Sequence, residues 1–346
     1  MRIFVTGATG YIGNQLVKQL AAQEEEIHLL VRDPRSPHLP AGRNIRVFKG
    51  DITDPGSIAP AIKGCAQVYH CAAIAKFSGT VTNAFMEVNV NGTKNVLAAA
   101  LDASVQKLVF TSSAAVWGPT LQAPFTEEDE RIGPFESEYD RSKYLAETLV
   151  KEFAGRGLNA VIVNPTRVYG PGPATYSNAV NRMINYILNK KIVLFPNMDQ
   201  YITNYTYIED IVNGHLLAME KGKAGERYIL GGENISYGQL LQSVRDHRAV
   251  KNLILKLPVP LLKTVAALAY FLNKKTELTP SLVSRFAKHR ILSSEKAIVQ
   301  LGYRITPFEA GLQTTIDSLK SKAYKKRNSP PKFYQYGKDQ VSTGTP

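Results

Sequence analysis

Cysteine is nearly absent: Cys65 and Cys71 are the only two in 346 residues. Two thiols cannot build the disulfide framework of a small secreted domain, so the composition points to a reducing compartment. A long hydrophobic run is missing as well. The most apolar stretch, LILKLPVPLLKTVAALAYFL at 253–272, is interrupted by Lys256, Pro258, Pro260 and Lys263. Its unbroken part falls short of the ~20 residues that a membrane span needs. It reads as a core or lid helix starting near Pro260, with an interfacial helix as the sharper alternative. The N-terminal MRIFVTGATG passes directly into a strand and a glycine turn, which leaves no room for the apolar segment of a signal peptide. A cytoplasmic location is expected, with surface association to a membrane as an alternative.

Acidic residues are scarce in one region only. Residues 1–244 hold 23 Lys+Arg and 23 Asp+Glu, whereas residues 245–346 hold 19 and 6, the whole of the formal +13. A basic segment can meet nucleic acid, an anionic membrane or an acidic partner, or can simply be solvated surface. The tail 320–346 opens with KSKAYKKR and continues polar and proline-containing, without apolar periodicity. It is expected to be disordered. Aromatic and basic residues interleave little there and no reading helix is evident, so nucleic acid is not an expected partner.

What is present is ordinary for a globular chain, with 44% hydrophobic and 21% charged residues, and the length suggests about two domains. Short β-branched runs at 3–6, 27–31, 45–48, 67–70, 107–111 and 160–164 alternate with helical patterns at 11–22, 58–62, 83–100 and 139–153. This alternation predicts an α/β fold with a doubly wound parallel sheet of Rossmann type. After about residue 175 the pattern becomes mainly helical, a smaller substrate lobe at about 176–202 and 223–319. Around TYIEDIVNGHLLAME (206–220) the chain is expected to return to the sheet, so about 203–222 joins residues 1–175 in the nucleotide domain.

VTGATGYIG (5–13) follows the first strand and opens a helix. Glycines at 7, 10 and 13 suit a tight turn and close approach of backbone N–H groups to a pyrophosphate. Gly7, Thr9, Gly10, Tyr11, Ile12 and Gly13 are therefore the expected phosphate contacts. At the end of the second strand stand Arg32, then Asp33, with Arg35 close behind. Arginine suits the 2′-phosphate of NADP through charge-assisted hydrogen bonds, while Asp33 keeps NAD open. Asp51 and Ile52 of KGDITD are expected cofactor contacts, and Asp51 offers either an acceptor for an adenine amine or a cap for the next helix.

A tyrosine and a lysine lie four residues apart at Tyr139/Lys143, Tyr186/Lys190, Tyr270/Lys274 and Tyr334/Lys338. With 17 tyrosines, composition alone yields about one such pair, so the spacing needs context. TGATGYIG, GDITD, VYHCAA, NVNGTKNVL, FTSSAAVWG, YDRSK and NPTRVYGPG resemble, in order and spacing, the extended and atypical short-chain dehydrogenase/reductases over residues 1–240. Only Tyr139 stands the family's distance, 26 residues, after a strand-end serine, Ser113, and at the start of an amphipathic helix. The resemblance implies a catalytic Ser113, Tyr139 and Lys143, with Lys143 also on the nicotinamide ribose. It further implies that Ala72 and Ala73 pack the cofactor through their backbone and that Pro165, Thr166 and Val168 line it. Asn89 matches a supporting position, or is a buried amide tying helix to strand. Arg167 and Tyr169 are open between substrate contact and loop anchoring. His70 and Cys71 point to opposite faces of a strand and are assigned no chemistry, and no metal site is expected.

The chemistry has its own logic. Hydride transfer to a carbonyl carbon needs a proton for the oxygen, and tyrosine at pKa about 10 is a poor acid–base group at neutral pH unless a neighbouring ammonium favours its phenolate. The expected function is an NADP(H)- or NAD(H)-dependent oxidoreductase on a ketone or secondary alcohol, resembling dihydroflavonol reductases and 3β-hydroxysteroid dehydrogenases. A nucleotide-sugar epimerase or dehydratase and a non-catalytic nucleotide sensor are the alternatives. Thr203 and Asn204 replace the Arg-Asp pair usual in the sugar-nucleotide enzymes, although Arg182, Arg285 or Arg290 offers compensation. Expected partners are a small carbonyl or alcohol substrate, with peripheral contact to anionic membrane and a homodimer left open.

Overall fold

A computed structural model describes residues 1–75, 82–175, 178–247, 252–273 and 279–320. The tail beyond residue 320, Tyr334/Lys338, and Lys274 of the third Tyr/Lys pair lie outside the described residues. The first units are β1 (Arg2–Thr6), α1 (Tyr11–Ala21), β2 (Glu26–Val31), β3 (Ile45–Lys49), α2 (Pro55–Ile62) and β4 (Gln67–His70). Then come α3 (Thr82–Phe85), a π-helical turn (Met86–Asn91), α4 (Gly92–Asp102), β5 (Lys107–Thr111), α5 (Glu138–Gly155) and β6 (Ala160–Pro165). The sequence predicts one helix over 83–100. The structure widens its middle by a π turn, a feature frequent at functional sites.

Among the described residues the main sheet has seven strands in the order β10-β6-β5-β4-β1-β2-β3, with β10 at Arg227–Leu230. Every pairing is parallel, Ile3 lying between Ile27 of β2 and Gln67 of β4. Both faces are covered, so strand residues sort alternately: Ile3 and Val5 join one buried cluster and Phe4 the other. That is why the strands read as near-continuous apolar runs. Strand order reverses between β1 and β4, and the crevice beyond the carboxyl ends of these two strands is where such sheets bind ligands.

The second lobe begins with β7 (Arg167–Tyr169), α6 (Ala179–Asn189), β8 (Ile192–Pro196), β9 (Ile202–Tyr207) and α7 (Ile208–Lys221). After β10 come β11 (Glu233–Ser236), α8 (Tyr237–Asp246), β12 (Leu253–Leu257), α9 (Val259–Leu272), α10 (Pro280–Phe286), α11 (Glu295–Leu301) and α12 (Phe308–Lys320). Three features differ from the expectation. The segment 206–220 returns as helix α7 against β5 and β6, and the strand that rejoins the sheet is β10, a run of only four residues. Strand β9 belongs to a separate three-stranded sheet, order β11-β9-β7. The stretch at 253–272 is a strand followed by a helix, because Pro258 ends β12 and α9 starts within one residue of Pro260.

Candidate active site

The glycine turn meets β4 at the switch point. Gly7 has φ +77°, and a Cβ there would stand 2.6 Å from the Ala72 nitrogen; a Cβ on Gly13 would stand 2.3 Å from the Gly7 carbonyl. Only glycine lets the backbone close this tightly. Helix α1 starts after Gly10 with no side-chain cap and no acid in its first turn, so its leading N–H groups and dipole favour an anion. This donor set fits a dinucleotide pyrophosphate. Thr9 is half-buried beside it, Ile12 packs on the core, and the buried Tyr11 donates its hydroxyl to the Gly170 carbonyl at 2.7 Å. The turn is thereby tied to the NPTRVYGPG loop.

Helix α5 begins under the Ser137 side chain, which accepts from the Asp140 N–H at 3.2 Å. Its buried stripe includes Tyr139, Lys143, Ala146, Val150 and Phe153, at helical spacing. Ser113 follows β5 and caps a short 3-10 turn, its Oγ accepting from Ala115 N at 3.2 Å. The Ser113 hydroxyl faces the Tyr139 phenol and favours its ionised form. Burial outweighs this and pushes the Tyr139 phenol up to about 12. Lys143 is directed away from the phenol. Its Nζ donates to the Thr111 carbonyl at 2.7 Å and lies 4.2 Å from the Phe110 ring centre. Burial brings Lys143 down to about 7, against the opposing pull of Glu147 and Cys71.

Asn89 sits on the π turn and behaves as a tie. Its Oδ1 accepts from Ile74 N at 2.7 Å, and its Nδ2 donates to the Ile74 carbonyl at 3.0 Å and to Ser142 Oγ at 2.9 Å. One amide thus joins the chain after β4 to the catalytic-candidate helix. His70 continues the network between Thr6 Oγ1 at 2.7 Å and Thr93 Oγ1 at 3.0 Å. Thr93 donates its own proton to the Asn89 carbonyl at 2.7 Å, so His70 Nε2 is the donor and Nδ1 the acceptor. Burial lowers His70 to about 3, which keeps it neutral. Cys71 accepts from Thr111 Oγ1 at 3.2 Å, and burial raises its thiol to about 11.

The outer side of α5 is held by charge. Arg285 of α10 meets the fully buried Asp140 bidentately, at 2.5 and 2.9 Å. Glu136 pairs with Arg290, with Lys288 at 2.7 Å and with Arg285 at 3.7 Å. Arg285 and Arg290 are therefore paired to α5 and its approach. Asn204 binds Thr166, Gly232 and Asn234; it is a junction within the lobe. Arg182 donates to the Thr175 carbonyl at 3.2 Å.

The remaining candidates divide. Arg32 is exposed at the end of β2, and Asp33 accepts from Arg35 N at 2.9 Å within its own turn. Asp51 accepts from Thr53 N at 3.0 Å, while Asp54 caps α2 through Gly56 N at 3.0 Å. The cap expected of Asp51 thus falls to the next carboxylate. Ile52 is buried in the core and Ala72 and Ala73 line the chain after β4. Pro165 ends β6, Val168 is buried in the core, and Thr166 Oγ1 turns to Asn204 and Thr206. Tyr169 donates to the Phe308 carbonyl at 3.2 Å and anchors the loop, whereas Arg167 stacks over Tyr237 and Phe286 at 5.4 and 5.0 Å. Tyr186 of the second Tyr/Lys pair accepts from Leu194 N at 3.1 Å, inside the lobe. Ser142 and Asn164 escaped the sequence reading as positioning groups, although both lie within quoted motifs. Asn164 donates to the Ser113 carbonyl at 3.2 Å and to Glu147 at 2.5 Å.

Comparison with known proteins agrees with this architecture. Residues 3–231 match the model of the NAD dependent epimerase/dehydratase family. The chain is 31% identical over 300 residues to sterol demethylase protein B of Methylococcus capsulatus, covering 86% of this chain and 89% of that one. It is 28% identical over 313 residues to 4-hydroxy-2-methyl-3-oxo-4-farnesyl-3,4-dihydroquinoline-1-oxide ketoreductase of Stigmatella aurantiaca, covering 88% and 92%. The crystal structure of gox2253 superposes with a TM-score of 0.77 at 31% identity, covering 93% of this chain and 98% of that one. The chain belongs to the NAD-dependent epimerase/dehydratase family.

Proposed function

We propose that this chain is an NADP(H)-dependent reductase or dehydrogenase acting on a ketone or secondary alcohol of a hydrophobic compound. The observation that carries the reading is the meeting of Ser113 and Tyr139 at the carboxyl end of β5, with Lys143 buried one turn further along α5. The names of two relatives, one carrying a sterol and one a farnesyl ketone, support the substrate class.

When bound, the nicotinamide supplies or accepts the hydride; the protein handles the proton. At neutral pH the Tyr139 phenol is protonated, its pKa pushed up to about 12, so it is ready to donate to a carbonyl oxygen during reduction. Ser113 holds the phenol's oxygen and can donate to the same substrate oxygen. The cost of the step is a buried phenolate. A protonated Lys143, whose own pKa lies at about 7, offsets that cost electrostatically. Asn89 and Asn164 act as positioning residues, one holding α5 and the other the Ser113 backbone.

NADP is favoured over NAD because Arg32 is exposed at the end of β2 while Asp33 is engaged by its own turn. The nucleotide-sugar alternative loses support, since Arg285 and Arg290 are paired with Asp140 and Glu136. The test is turnover of hydrophobic ketones with NADPH and NADH. Arg32→Ala should reduce the NADPH-over-NADH ratio roughly tenfold or more, the value of a charge-assisted bond. Equal use of both nucleotides by the parent protein, or NAD retained through purification, would overturn the reading.

A further inference from the structure

About half of the exposed large hydrophobic side chains among the described residues fall on one helix and one strand pair. Helix α9 buries only Ala266. Its Leu261, Val265, Leu268 and Leu272 recur at helical spacing and are 50%, 46%, 59% and 74% exposed, with Phe271 at 75% beside them. The strand pair just before it repeats the pattern in two-residue steps. Leu253 pairs with Ile192 and Leu255 with Leu194, and all four are exposed on the outer face, while Val193 and Phe195 are buried beneath. Monomeric soluble proteins rarely leave apolar rows of this kind uncovered.

The charge on these elements is mainly positive. Residues 252–273 include Lys256 and Lys263 and no carboxylate; residues 179–198 include Arg182, Lys190 and Lys191 and no carboxylate. The adjoining Asp199 is paired with Lys256. A second copy of the chain would set this net-positive face against itself, which like charges oppose. A lipid bilayer with anionic headgroups offers both an apolar interior for the side chains and counter-charge for the lysines. No helix among the described residues is long and apolar enough to cross a membrane. We infer that the outer faces of α9 and of the β8–β12 pair form a peripheral docking surface for an anionic lipid bilayer. The helix lies in the interface, with Leu268, Phe271 and Leu272 inserted below the headgroups and Lys190 and Lys191 beside the phosphates.

The test is co-flotation of the full chain with phosphatidylcholine vesicles, with and without phosphatidylglycerol. The full chain should float with the anionic vesicles and be released by raised salt. The triple variant Leu268→Ser, Phe271→Ser, Leu272→Ser should partition roughly tenfold more weakly or worse. Lys190→Ala with Lys191→Ala should lose the preference for anionic over neutral vesicles. Both variants retain the basic tail, and circular dichroism checks their fold. The inference is overturned by failure of the parent to float, or by undiminished flotation of the triple variant. Sedimentation showing a dimer that the triple variant dissolves would also overturn it, because the face then belongs to a second copy.

Discussion

The two sides of helix α5 are held by different physics. Toward the sheet, Asn89, Ser142, His70 and Thr93 form a chain of neutral hydrogen bonds around the Ser113–Tyr139 contact. Toward the lobe, Asp140 and Glu136 receive Arg285, Arg290 and Lys288. A neutral network fixes angles without placing a strong field on the phenol. An ionic clamp joins elements 145 residues apart, yet leaves an uncompensated charge when either partner is lost. Ser113 thus sits with the neutral network, while Tyr139 also feels Asp140 and Arg285 of the clamp that fastens the second lobe.

The sharpest way to break this contrast is on the charged side. Arg285→Ala leaves Asp140 buried and alone and should cost about 3–5 kcal/mol of stability, read as a denaturant midpoint. Replacing both partners, as Arg285→Met with Asp140→Leu, should recover much of that loss. If Arg285→Ala costs less than about 1 kcal/mol, the pair is an ordinary surface contact.

A smaller effect probes the neutral side through pH. His70 and His215, the latter buried on α7 with its Nε2 2.8 Å from Thr111 Oγ1, titrate near 3 and 4 when folded, both lowered chiefly by burial, and at about 6.5 when unfolded. The unfolded chain therefore takes up protons first as pH falls, so stability is complete above about 6.5 and declines below it. At pH 5 the two should each cost about 2 kcal/mol. A midpoint unchanged between pH 7 and pH 5 would mean that these rings are not held neutral.

This contrast also explains what could be read in the sequence. Strands β1, β2, β4, β5 and β6 lie within a residue of the expected runs, because burial on both faces writes each strand as a local apolar string. Ser113, Tyr139 and Lys143 were legible because strand end, helix start and one helical turn fix their spacing. The partners of Asp140 and Glu136 were not, since nothing local marks Arg285 or Arg290 as neighbours of α5. From the sequence alone, Arg285 and Arg290 stand with Arg182 as candidates for a diphosphate. Of the two roles open to Asp51 the cap falls away, because Asp51 and Asp54 look alike until the turn at Thr53 assigns one to the loop and the other to α2. Strand β12 was hidden because LILKL and the helix after it form one apolar stretch that only Pro258 divides.

Lys143 sharpens the mechanism. Its Nζ is directed at the Thr111 carbonyl and not at the phenol, so its influence on Tyr139 is expected to be electrostatic. The central claim is that the Tyr139 hydroxyl transfers the proton. It is tested most directly by single-turnover reduction of a hydrophobic ketone by Tyr139→Phe beside an NADPH titration of the same protein. The account predicts a fall in rate of roughly 100- to 10,000-fold with nucleotide affinity unchanged. A phenylalanine variant that reduces the ketone at the parent's rate would contradict it.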